Sequence, residues 1–186
     1  MILVKPSPEY LAAYVDALQR GWSHDTSSRS STSRLEELAL VESDPEAFFL
    51  RCDDPEGRAG PVALPDGTLV ARLPGFRRWI WDGEFAGSIG LRWQPGTSEL
   101  PPTCPGHIGY SVVPWKEGRG YATAALALIL PEARLRGLKY VEITTGVANR
   151  ASQRVIEKNG GVLIGQRNRG PAFHNDETLL YRITLT

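Results

Sequence analysis

Apolar residues recur at helical intervals through PEYLAAYVDALQR, residues 8–20, where Leu11, Val15 and Leu18 share one face. Ser7 before Pro8 is a start signal and Gly21 a stop, so the spacing predicts an amphipathic helix. The period then vanishes. SHDTSSRSSTSR, residues 23–34, holds six serines and no large apolar side chain, which predicts a mobile loop. Helical spacing resumes from about Leu35 to Glu42, with another turn or two between Pro45 and Arg51. Gly and Pro recur from Arg58 to Gly67, and Asp66-Gly67 marks a turn.

The pattern next changes to that of strands. FRRWIWDGEFAGSIGLRW, residues 76–93, is rich in aromatic and β-branched residues and is broken by Asp82-Gly83, a favoured hairpin dipeptide. After the Pro-rich GTSELPPTCPG, HIGYSVV (107–113) predicts a third antiparallel strand. Tyr121–Arg136 predicts a helix with Ala125, Leu126, Ile129, Leu130 and Ala133 inward, and Pro131 within it implies a kink or an early last turn. KYVEITT (139–145) predicts a buried strand. NRASQRVIEKNGG (149–161) predicts a helix capped by Asn149 and stopped by Gly160 or Gly161, and VLIGQR and ETLLYRITL predict closing strands. The fold class expected is a mixed α/β (α+β) sheet. A mostly antiparallel N-terminal meander joins a βαβ crossover, with helices on both faces.

Length and charge narrow the classes. At 186 residues the chain fits one domain spanning 1–186. Lys plus Arg and Asp plus Glu number 21 each, so no global field attracts nucleic acid or an anionic membrane. No apolar run resembles a signal or a membrane span, and the expected location is cytoplasmic. Cys52 and Cys104 lack His neighbours at metal-ligand spacing, so they read as plain thiols and no metal is expected.

Candidate chemistry centres on SVVPWKEGRGYATAAL, residues 111–126, where a strand ends, two glycines follow one residue apart, and a helix begins. A helix N-terminus behind glycines presents free N–H groups and the positive end of a dipole, which suits a phosphate or pyrophosphate. Gly118 and Gly120 permit close approach, and Lys116 and Arg119 add charge. An ordinary strand-to-helix turn is the alternative. No G-x-x-x-x-G-K-[ST] is present, and G-x-G-x-x-G fails at Thr123.

The segment from about Gly106 to Gln166 resembles the GNAT superfamily of acyl-CoA-dependent N-acetyltransferases. Its pyrophosphate motif [QR]-x-x-G-x-[GA] is similar to Glu117-Gly118-Arg119-Gly120-Tyr121-Ala122 here, followed by Thr123, with Glu117 departing from the pattern. NRASQRVIEKNGG resembles the N-x-x-[SA]-x-x-[VL]-[IL]-E-K-x-G-F ending of the branch that includes ribosomal-protein N-terminal acetyltransferases. Asn149, Ser152, Glu157, Lys158 and Gly160 match, and Gly161 replaces the usual aromatic.

The resemblance implies that the strands carrying Ser111–Val113 and Val141–Thr145 splay and admit the pantetheine arm of acetyl-CoA, the cosubstrate. Backbone groups of Val112 and Val113 pair with it, Arg119, Gly120, Tyr121, Ala122 and Thr123 hold the pyrophosphate, and Asn149 reaches the pantetheine. It further implies transfer to a primary amine of a small molecule or protein N-terminus. The tyrosine that many members use as the acid falls at Ile156 here, leaving Ser152 as the catalytic hydroxyl on that helix. Glu84, His107 and Glu142 are candidate bases, with His174 and His24 weaker. Tyr14, Trp22, Trp79, Trp81 and Trp93 either line the acceptor cleft or fill the core. The partners expected are acetyl-CoA and an amine acceptor, without nucleic acid or membrane, and a homodimer is allowed for. A catalytically silent acyl-CoA-binding module is the alternative that Glu117 and Ile156 suggest.

Overall fold

The structure is a computed structural model that describes residues 1–27 and 30–185. The chain begins with β1 (Ile2–Val4), a strand the sequence pattern did not predict. It continues through α1 (Pro8–Gln19), α2 (Ser30–Ser43), α3 (Pro45–Cys52), β2 (Asp53–Asp54), β3 (Val62–Ala63), β4 (Leu69–Val70), β5 (Gly75–Trp81), β6 (Phe85–Arg92) and β7 (Ile108–Val112). A 3-10 turn at Pro114–Lys116 leads into α4 (Tyr121–Leu135), β8 (Tyr140–Gly146), α5 (Arg150–Lys158), β9 (Val162–Asn168) and β10 (Glu177–Thr184).

The first sheet has the order β1-β5-β6-β7, with β2 also beside β5, and the second the order β8-β10-β9. Every ladder is antiparallel. The predicted mixed α/β class, hairpins and crossover β7-α4-β8 are therefore present, but the crossover joins two sheets instead of closing one. The last five residues of the predicted Ser-rich loop, 30–34, are helix: α2 starts at Ser30, not near Leu35. Ser28 and Arg29 of that stretch lie outside the described residues. The helix persists because its apolar side chains Leu38, Leu40 and Val41, partly buried, pack against the α1 core, so tertiary packing overrides weak serine propensity.

Two cores flank the first sheet. Phe76, Ile80, Ile89 and Leu91 pack beneath Ala125, Leu126, Ile129 and Ala133 of α4. On the other face Trp79 and Phe85 meet Tyr14 and Leu18 of α1 and Phe48 of α3, with the Tyr14 and Trp79 rings stacked at 4.6 Å. Each fully buried large apolar side chain contributes about 1.5–3 kcal/mol through removal from water. Pro131 is exposed on the outside of α4, which continues past it to Leu135. Tyr14, Trp22, Trp79 and Trp93 are thus core residues, and Trp81 is half-buried. Among the described residues no helix is long and apolar enough to cross a membrane.

Candidate active site

β7 and β8 leave the same point and separate. At the pinch His107 N–H donates to the Glu142 carbonyl (2.7 Å), and Glu142 N–H donates to His107 Nδ1 (2.9 Å). A Cβ on Gly106 would stand 2.9 Å from the Glu142 carbonyl oxygen, so glycine is what lets the backbones close there. Ladder parity fixes what faces the opening. Arg92 N–H to His107 O (2.9 Å) and Val113 N–H to Ala86 O (3.0 Å) bound the β6–β7 ladder. Odd-numbered residues of β7 therefore spend their main-chain groups on β6, and those of Tyr110 and Val112 face the gap. On β8 both main-chain groups of Glu142 face β7, so by the same alternation Thr144 faces the gap too, while the Gly146 carbonyl accepts from Asn149 N–H (2.9 Å) at the turn into α5. The expectation for Val112 fits this edge. That for Val113 does not, because its N–H is taken by Ala86 and its carbonyl accepts from Lys116 N–H at 2.9 Å.

The gap leads to the glycine turn. Gly118 (φ 74°) and Gly120 (φ 83°) are left-handed, and a Cβ on either would meet nothing within 4 Å, so both border open space. Gly120 caps α4, whose first bond is Ala124 N–H to Gly120 O (3.0 Å). The N–H groups of Tyr121, Ala122 and Thr123 are left without intrahelical acceptors. Arg119 and Glu117 are exposed at the rim. Lys116 has a different position from the one expected. It is buried, with Nζ 2.7 Å from Asp82 Oδ1 and 3.2 Å from Glu84 Oε2, so its charge is already matched. Tyr121 Oη also donates to Asp82. Hydrogen bonds from Lys116 and Tyr121 hold the Asp82 carboxyl down to about 2. The β5–β6 turn thereby braces the cradle through Asp82, a link no local pattern reveals.

Across the gap, Asn149 Oδ1 accepts from Ser152 N–H (3.0 Å) and caps α5. The predicted cap is present, and only the Asn149 amide nitrogen is left to reach a ligand. Ser152 Oγ lies 2.8 Å from Tyr110 Oη. Burial pushes the Tyr110 phenol up to about 12 against the opposing effect of the Ser152 hydrogen bond, so it keeps its proton at neutral pH. Sequence reasoning missed Tyr110. Its one signal was an aromatic residue in the strand before the glycine turn. Ile156 is fully buried, and a Cβ on Gly161 would stand 2.3 Å from its Cγ2, which explains the glycine in place of the usual aromatic.

A family model of the acetyltransferase (GNAT) domain matches residues 34–162 of the 186. The chain belongs to the GNAT acetyltransferase family. No curated protein matches its sequence. Among solved structures, this GNAT chain is similar to Mycobacterium smegmatis RimJ in complex with CoA-disulfide, with 22% identity, TM-score 0.67, and coverage of 98% of this chain and 80% of the other. It is also similar to the microcin C7 self-immunity acetyltransferase MccE in complex with acetyl-CoA and AMP (13% identity, TM-score 0.65, coverage 98% and 91%). A third is RimL, the ribosomal L7/L12 alpha-N-protein acetyltransferase, in complex with CoA (15%, 0.63, 98% and 93%). At these identities the likeness is one of fold.

The three candidate bases of this GNAT domain are all held elsewhere. Glu84 is exposed beside Lys116, and Glu142 is paired with Arg182 at 2.6 Å. His107 is buried at the pinch, where burial depresses its imidazole to about 4. The unfolded chain takes up that proton near pH 6.5. The resulting stability is full above pH 6.5 and is lost as pH falls toward 4, a change of about 3 kcal/mol by linkage. Denaturant unfolding between pH 7.5 and 4 should show this loss, and His107→Gln should flatten it. An unchanged slope in the variant would remove His107 as its source.

Proposed function

We propose that the chain transfers an acetyl group from acetyl-CoA to a primary amine, on a small molecule or a protein N-terminus, in the cytoplasm. The observation that carries this reading is the continuous path from the gap-facing edges of Val112, Tyr110 and Thr144 to the left-handed glycines at 118 and 120. Pantetheine amides placed in the gap satisfy strand edges that otherwise lack partners. The pyrophosphate fits the N–H groups of Tyr121, Ala122 and Thr123, with Gly118 and Gly120 giving access and Arg119 adding charge at the rim. Asn149, whose Oδ1 caps α5 by accepting from Ser152 N–H, offers its amide nitrogen to the pantetheine. Lys116 acts as a brace, and Val113 as core.

Acetyl-CoA supplies an activated acyl carbonyl. The Tyr110 N–H, directed into the gap near the pinch, is placed to bind that carbonyl oxygen as charge develops on it. The Ser152 and Tyr110 hydroxyls supply a proton to the departing thiolate. MccE with its acetyl-CoA and AMP, and RimL with its ribosomal-protein N-terminus, suggest the two acceptor classes to test. Thiol release from acetyl-CoA, followed colorimetrically over a panel of small amines and N-terminal peptides, should show acceptor-dependent turnover. CoA binding with no turnover on any amine would replace this reading with a silent binding module.

A further inference from the structure

An amine that reaches the gap as an ammonium has no lone pair with which to attack, and Glu84, His107 and Glu142 are all engaged elsewhere. The face of β7 opposite α4 carries another group. Trp22 Nε1 donates to Ser111 Oγ (2.9 Å), and Ser111 Oγ donates to the Ser23 carbonyl (3.0 Å). These two bonds fasten the start of the α1–α2 connection to β7, one residue from Val112. Arg92 reaches the same face, with Nη2 3.2 Å from where a Cβ on Gly109 would stand. The β9–β10 connection also approaches, since the charges of Asp25 and Arg92 both act on Arg169.

His24 follows Ser23 in this fastened segment. Its Nδ1 is buried 3.1 Å from Glu37 Oε2, turned so that the contact is one of charge and not a directed hydrogen bond. Nε2, across the ring, has no partner among the described residues, and the side chain is 24% exposed. Glu37 is itself fixed: Arg77 Nη1 lies 2.8 Å from Oε1, and Tyr14 Oη donates to Oε2. Burial opposes its ionisation, but Arg77 and His24 keep the carboxyl well below the usual carboxylate range. A permanent negative charge behind Nδ1 favours a proton there and leaves Nε2 its lone pair.

We propose that His24 Nε2 takes the proton from the acceptor amine, with Glu37 as the positioning residue that holds the ring. This rests on the acetyl-transfer reading above. One N–H bond of the ammonium breaks and its proton goes to Nε2. The freed lone pair forms the C–N bond to the acyl carbon as the C–S bond breaks. A second nitrogen proton is released as the amide forms, and the thiolate gains one from the Ser152–Tyr110 pair, which is reprotonated through solvent. His24 then gives its proton to water, so each turnover of an ammonium yields amide, thiol and one proton. The charged or titratable groups around the ring are Glu37 from α2, Arg77 from β5, Tyr14 from α1, Asp25 on the same connection, and Arg169 beyond Asp25.

The test uses the full chain, acetyl-CoA and the best amine from the panel. His24→Gln should lower kcat/KM by about 10²-fold, at the low end of general base catalysis, with CoA affinity and thermal unfolding unchanged. The acid-side limb of the kcat/KM profile between pH 5 and 8, where an imidazole changes charge, should disappear. Added imidazole should restore part of the rate in His24→Ala. Glu37→Gln should lower kcat with acetyl-CoA affinity unchanged, because the ring loses the group that holds it; the His24 variants decide the proposal whether or not Glu37→Gln, which strands the largely buried Arg77, folds. Wild-type turnover with an unaltered pH profile in His24→Gln overturns the role of His24 alone. Absence of wild-type turnover on every amine overturns the acetyl-transfer reading and this one with it.

Discussion

Gly120→Glu is expected to abolish most acetyl-CoA binding while leaving the fold intact. Gly120 has φ 83°, and a Cβ there meets no protein atom within 4 Å, so the new side chain clashes with nothing in the free protein. The space it occupies is the mouth of the cradle, in front of the N–H groups of Tyr121, Ala122 and Thr123. A carboxylate there competes for those donors and repels a pyrophosphate. Loss of two charge-assisted hydrogen bonds, each about 1.5–3 kcal/mol, corresponds to about a 10²- to 10⁴-fold loss of affinity. Left-handed geometry adds a strain of about 1–2 kcal/mol to the fold, and Gly120→Ala isolates that part. Arg119→Ala should cost about tenfold, as a single exposed contact. Titration calorimetry on the three variants separates these effects. Unchanged binding in Gly120→Glu would remove the cradle from the site.

What the sequence revealed of this site was local. The glycine turn, the Asn149 cap and the hairpin at Asp82-Gly83 each depend on a few adjacent residues whose backbone preferences are strong. The residues it concealed are joined across long separations. Tyr110 meets Ser152, Asp82 meets Lys116 and Tyr121, and Trp22 meets Ser111. Periodicity carries no record of such pairs. Val113 shows a subtler limit: alternation reveals which side chains share a face, but main-chain direction depends on which residues of β6 and β7 exchange hydrogen bonds. Serine composition likewise could not reveal that α2 begins at Ser30, because the packing of the partly buried Leu38 and Val41 against α1 decides it.

The sequence also left the acid on α5 as Ser152 alone, since Ile156 stands where a tyrosine was sought, whereas the structure delivers a tyrosine hydroxyl to Ser152 from β7. Ser152→Ala is therefore expected to lower kcat by about 10²- to 10⁴-fold, the range for general acid assistance. Acetyl-CoA affinity should hardly change, because a proton given to the thiolate matters only as the C–S bond breaks. Asn149 caps α5 through the Ser152 main chain, so losing the hydroxyl leaves the helix start in place. Tyr110→Phe tests the other half of the pair. If the two hydroxyls relay one proton, the double variant should be no slower than the slower single one, as for residues acting as a unit. If they act separately, their losses should multiply. Single-turnover rates across pH distinguish the two outcomes. Full turnover in all three variants at every pH would mean that water protonates the thiolate and that the pair only joins β7 to α5.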